Sequence, residues 1–154
     1  MEKLAILVIG IIIGGLAFSF FSSGSNFELP FGSTSEKASP SNWITEDQIR
    51  VKPDEIIIKV KGAMISKYAN TNSMDPTLDE DSNGIEIPVT SPNQINPGDI
   101  ITYERDGNLI VHRVNHTGYD KDGWYCITKG DNNFGSDGKI RFKDIRYITI
   151  GILY

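Results

Sequence analysis

A run without a single charge, Leu4–Phe21 (LAILVIGIIIGGLAFSFF), divides this chain before any other feature does. Wound as a helix at ~1.5 Å per residue it spans about 27 Å, close to the hydrocarbon thickness of a bilayer. A cleaved secretory signal has a shorter apolar region, about 7 to 15 residues, so residues 1–22 are expected to form a retained transmembrane anchor. Lys3 precedes the run and the next basic residue is Lys37. By the positive-inside tendency the N-terminus is then cytoplasmic and the remainder lies on the outer face. The triplet Asn115-His116-Thr117 is a glycosylation sequon and fits that side. Residues 23–42 shift to Ser, Gly, Pro and Asn without periodicity, as in a flexible tether, with Phe27, Leu29 and Phe31 available to the lipid headgroup region.

The rest of the 154-residue chain, residues 43–154, changes character. Apolar residues alternate or cluster in short runs between Gly, Pro, Asn and Asp, the signature of strands. Expected strands are Ile49–Val51, Ile56–Val60, Gly84–Val89, Ile100–Arg105, Leu109–Asn115, Trp124–Lys129 and Tyr147–Leu153. Asp106-Gly107 and Asp120-Lys121-Asp122-Gly123 read as hairpin turns, and Thr45-Glu46-Asp47-Gln48 as one capped helical turn. A compact, mainly antiparallel β domain follows. With 15 Lys+Arg against 20 Asp+Glu the chain is mildly acidic, and no clustered basic face points to a nucleic-acid partner. The single cysteine, Cys126, excludes an internal disulfide and is expected in the core.

Three short stretches hold residues able to do chemistry. YANTNSMDPTL, residues 68–78, presents Ser73 in a polar turn. LIVHRVN sets His112 among apolar neighbours, whereas His116 is expected at a turn beside Thr117 and Gly118. TKGDNNFGSDG places Asp131 and Asp137 in one loop after a strand. Taken singly, each stretch reads as a turn, a hydrogen-bonded strand histidine and a solvated loop.

In order along the chain stand NSMDPTL, PGDIITY, VHRV and TKGDNN followed by a second Asp. This set resembles the type I signal peptidase family, in the branch found in archaea and the endoplasmic reticulum. The resemblance implies a signal-peptidase-type β domain behind one membrane helix, with Ser73 as nucleophile and His112 as general base where the bacterial branch has lysine. It implies Asp137 as the acid paired with His112, Asp131 as a supporting acid, and an oxyanion hole from the Ser73 N–H and the Thr71 hydroxyl. The implied chemistry calls for no cofactor and no metal. The implied partners are the signal peptides of secreted preproteins, cut after a small residue, together with membrane lipid, while additional subunits are left open. Strands near Ser73, including Ile65–Ala69, are expected to take the substrate as an added strand.

This chain departs from the family pattern at Asn72, where glycine is usual, in the Trp43–Lys67 segment, which is longer, and in NNFGS, which lacks the usual proline. Two other readings share the fold: a self-cleaving, repressor-type or specialised processing protease, and an inactive or calcium-binding anchored module. For calcium, DEDSNG (residues 79–84) opens like a binding loop, but its twelfth position is Thr90 rather than glutamate and Pro88 intrudes, so a polar turn is expected.

Overall fold

The computed structural model describes residues 37–154, which form one compact unit, Lys37–Tyr154. The anchor expected over residues 1–22 and most of the 23–42 tether lie outside the described residues. Among those described, no helix is long and apolar enough to cross a membrane.

The fold is antiparallel β. A two-stranded ribbon, β1 (Ile49–Val51) with β2 (Ile56–Ile58), follows a 3₁₀ turn at Glu46–Gln48 that Thr45 and Gln48 close with a capping box. The main sheet holds β3 (Met64–Lys67), β4 (Asn83–Pro88), β5 (Ile100–Arg105), β6 (Asn108–Asp120), β7 (Gly123–Lys129), β8 (Lys139–Arg141) and β9 (Ile145–Leu153). Its seven strands run in the order β3-β4-β9-β5-β6-β7-β8, so β3 and β8 are the edges. Asp106 and Gly107, at φ 52° and 76°, turn β5 into β6, both in the left-handed region that the tightest hairpins demand.

Strand alternation buries both faces of the sheet centre. On β5, Ile101 and Tyr103 join Ile95, Val114, Cys126, Ile140, Ile145 and Ile148 in the main core, while Ile100 packs on the opposite face with Met74 and Leu78. Each such side chain contributes about 1.5 to 3 kcal/mol by leaving water. The second cluster is closed by the loop between β3 and β4, which carries Ser73.

Several expectations are corrected. β6 continues past Asn115 to Asp120, so His116 lies in a strand rather than at a turn. A bulge between Val114 and His116 absorbs the extra residue there, which lets pairing with β7 resume beyond the polar Asn115. The edge strand near Ser73 is Met64–Lys67, shorter than Ile65–Ala69, and Ile56–Val60 stops at Ile58. β8 was not expected at all. Nor is all of residues 23–42 a free tether. The Ser41 N–H donates to Asp99 Oδ1 (2.7 Å) and Arg113 Nη1 to the Ala38 carbonyl (3.4 Å). A Cβ at Gly98 would overlap the Ser39 carbonyl, so the chain is docked from Lys37 onward.

Candidate active site

His112 sits mid-strand on β6, opposite Ile101 of β5, and is buried. Its Nδ1 meets Asp137 Oδ2 at 2.6 Å. With Nδ1–H donating to that carboxylate, Nε2 is left as the acceptor nitrogen of the ring. Asp137 belongs to the irregular segment between β7 and β8 and is held from several sides. Its N–H donates to the Thr128 carbonyl (2.8 Å), its carbonyl accepts from Arg105 Nη2 (2.7 Å), and its Oδ2 accepts from Thr128 Oγ1 (2.8 Å). The Tyr103 hydroxyl lies close to Thr128 and Asp137 without hydrogen-bond geometry to either, and burial pushes its pKa up to about 12.

Ser73 stands in the loop between β3 and β4. Met74 and Leu78, both 4% exposed, plug that loop into the second core cluster. The Met74 carbonyl accepts from the N–H groups of Thr77 (2.8 Å) and Leu78 (3.1 Å), which winds the chain into a tight turn. Just before Ser73, Asn72 has φ 57°, a left-handed conformation. Glycine enters that region freely, and asparagine is among the few L residues that tolerate it. The departure at Asn72 thus keeps the backbone that a glycine would give.

The Ser73 Oγ lies 3.0 Å from Thr71 Oγ1, and the Ser73 N–H points to the same Thr71 oxygen at 3.5 Å. Ser73, Thr71 and His112 all line one cavity of about 540 Å³. Among the described residues no hydrogen bond joins Ser73 Oγ to the imidazole; Thr71 holds the hydroxyl instead. Such contacts commonly tighten only when substrate is bound. Ser73 and His112, from separated segments, thus line one cavity, and Asp137 reaches it through its bond to the imidazole, although His112 shares the Ile101 side of the strand and the Ser73 loop packs over Ile100.

Asp131 is elsewhere. Its carboxylate takes both arms of Arg113, Nε to Oδ1 at 2.8 Å and Nη2 to Oδ2 at 2.7 Å, and accepts from Thr77 Oγ1 at 2.7 Å. It is hydrogen-bonded to neither His112 nor the Ser73 side chain, and its bonds to Arg113 and Thr77 make it a structural brace. Burial pushes its pKa up, but the Arg113 and Thr77 hydrogen bonds more than offset this and hold it below the usual carboxylate value. Alternation along β6 turns Arg113 away from His112, which is how adjacent residues serve different acids.

The same loop clamps Ser73. The Asn132 N–H donates to the Ser73 carbonyl (3.0 Å) and Asn132 Nδ2 to the Asn72 carbonyl (3.0 Å). Sequence reasoning passed over Thr128, Arg105, Thr77 and Asn132. The signal for Thr128 and Asn132 was their presence inside TKGDNN, and for Thr77 its presence inside NSMDPTL; nothing in the sequence marked Arg105.

The remaining candidates fall outside the cavity. His116 is exposed, its ring 6.3 Å from that of Tyr125. Cys126 is fully buried, with its thiol pushed up to about 12 by burial, far from thiolate chemistry at neutral pH. The DEDSNG stretch is a polar turn: Asp79 Oδ1 accepts from the Asp81 (3.1 Å) and Ser82 (3.0 Å) N–H groups. Among the described residues no cluster of His, Cys, Asp and Glu has the arrangement to hold a metal ion. No protein-family model matches the chain, and no curated protein or solved structure matches it either.

Proposed function

We propose that this chain is a membrane-anchored serine endopeptidase of the type I signal peptidase class, removing signal peptides from secreted preproteins on the outer face of a membrane. The observation that carries the reading is the His112 Nδ1–Asp137 Oδ2 pair at 2.6 Å beside a cavity that also holds Ser73 and Thr71. An acid on Nδ1 would satisfy any buried strand histidine, and the cavity shared with Ser73 is what favours a general base.

In this mechanism His112 Nε2 takes the Ser73 proton as Oγ attacks the scissile carbonyl, and later delivers it to the leaving amine. Asp137 fixes the tautomer and stabilises the imidazolium. The Ser73 N–H and the Thr71 hydroxyl stabilise the oxyanion, Thr71 exchanging its contact with Oγ for one with the carbonyl oxygen. Water then attacks the acyl-enzyme with His112 as base. Edge strand β3, whose Met64, Ser66 and Lys67 line the cavity, offers unpaired backbone to an extended substrate. The Leu4–Phe21 anchor would hold this edge where signal sequences leave the bilayer.

The test is incubation of the full chain, in detergent, with a purified preprotein, reading product masses. One cut behind the signal, after a small residue and absent with Ser73→Ala, is the expected result. An intact preprotein, or a cut that Ser73→Ala also makes, overturns the reading.

A further inference from the structure

The floor of the cavity does not have the chemistry of a pocket for small apolar side chains. Glu86 on β4 is only 2% exposed, yet it lines the same cavity as Ser73 and His112. Its Oε2 accepts from Ser66 Oγ (2.6 Å), and its Oε1 from Thr102 Oγ1 (2.7 Å) and Thr149 Oγ1 (3.4 Å). Among the described residues no lysine, arginine or histidine forms a salt bridge with it. Lys67 is a cavity neighbour, but alternation on β3 directs it away from the face that Ser66 shares with Glu86.

Beside this carboxylate the Tyr68 hydroxyl is buried without a hydrogen-bond partner. Glu86 and Thr149 are its polar neighbours, and burial raises its pKa, so it remains a neutral phenol. Gly84 makes room for it: a Cβ there would overlap the phenol oxygen. The walls above are apolar, from Met64, Leu109, Ile110 and Val111. Methylene-compatible walls that end on a buried, cation-free carboxylate match a long side chain with a charged tip. A buried carboxylate with hydroxyl donors but no counter-charge is incompletely compensated, and a substrate cation supplies what is missing.

From this arrangement we infer that Glu86, with Ser66 and Thr102, forms a specificity subsite that takes a lysine or arginine side chain of the substrate, close to the bond that is cut. The inference rests on reading the cavity as a peptide cleft. It adds a cation requirement to the small residues implied by the resemblance, at a different substrate position.

Binding rather than turnover tests it. The full-length Ser73→Ala chain is titrated with fluorescent peptides from a preprotein cleavage region, in which lysine or norleucine is stepped through each position, and anisotropy is followed. At one position lysine is expected to bind about tenfold or more tighter than norleucine, and adding Glu86→Gln should erase that preference. Thermal melting reports whether Glu86→Gln is folded; if it is not, Glu86→Asp, which withdraws the carboxylate, should weaken the preference instead. Equal binding of lysine and norleucine at every position, or a preference that survives the Glu86 variants, overturns the subsite. Absence of catalysis leaves these outcomes untouched, because the protein used cannot turn over. Should no peptide bind at all, the cleft reading fails, and n-butylammonium against n-butanol, titrated by chemical shift, decides the subsite alone. Shifts at Glu86 and Ser66 for the ammonium only support it, and equal responses overturn it.

Discussion

The Asn132 main chain donates to the Ser73 carbonyl over 3.0 Å, tying the loop that holds both aspartates to the turn that holds the hydroxyl. Ser73 is thus held from behind by the segment that also carries Asp137, the partner of His112.

Gly130 is what allows the two segments to come so near. A Cβ at that position would lie 2.5 Å from the Ser73 carbonyl oxygen and 2.6 Å from the Asn133 amide nitrogen. Gly130→Ala is expected to cost about 1 to 3 kcal/mol of stability through overpacking. It should also lower turnover by displacing Ser73, as read by chemical denaturation and by initial rates on a preprotein.

Asp131, 2% exposed at its side chain, anchors that loop through the bidentate Arg113 contact. Asp131→Asn leaves a buried guanidinium unpaired and should cost about 3 to 5 kcal/mol at neutral pH. Because the folded-state pKa of Asp131 is depressed, its contribution is complete above the ordinary value of 3.8 and fades as pH falls through the lower folded value. The melting difference between the unmodified chain and Asp131→Asn should therefore be largest near neutrality and close in strong acid. A difference that grows on acidification would contradict the assignment.

Thr128 Oγ1 and His112 Nδ1 share Asp137 Oδ2 at 2.8 and 2.6 Å. Thr128→Val removes one of these donors while keeping the shape. A stability loss of about 1 kcal/mol is expected, with turnover reduced more than substrate affinity. Asp137→Asn goes further: it misdirects the tautomer and should lower kcat about 10⁴-fold. Separate kcat and KM values distinguish these effects from simple loss of fold.

At Asn72 the left-handed backbone makes a prediction of opposite sign for two substitutions. Asn72→Gly should keep activity, whereas Asn72→Val, β-branched at φ 57°, should cost on the order of 1 to 2 kcal/mol and disturb the Ser73 turn. Thermal melts and cleavage rates on the pair are the check.

Much of this architecture was legible because local signals agreed with one another. Asp106-Gly107 fixed one hairpin, and alternation in IITYE placed a central strand whose two faces are both covered. What escaped notice depends on partners rather than on neighbours in sequence. β8 is only Lys-Ile-Arg, and its pairing with Tyr125–Ile127 defines it as a strand. The far half of β6 is polar, so its extension rests on β7 and a bulge. Lys37–Asn42 reads as tether in composition, yet main-chain bonds to Asp99 and Arg113 dock it. Asp131 and Asp137 occupy one loop, and only its path sends one to Arg113 and the other to His112. Glu86, between two isoleucines, has the pattern of a solvent-facing strand position; its depth follows from the 68–78 loop covering the sheet's second face.

The central claim is that Ser73, His112 and Asp137 act as one unit. Its most direct measurement is the turnover of a preprotein by Ser73→Ala and His112→Ala beside the triple variant that also removes the Asp137 carboxylate. Each single change is predicted to abolish cleavage about as completely as the triple does, because members of such a unit fail together. Appreciable cleavage by Ser73→Ala, or losses that simply multiply from one variant to the next, would contradict it.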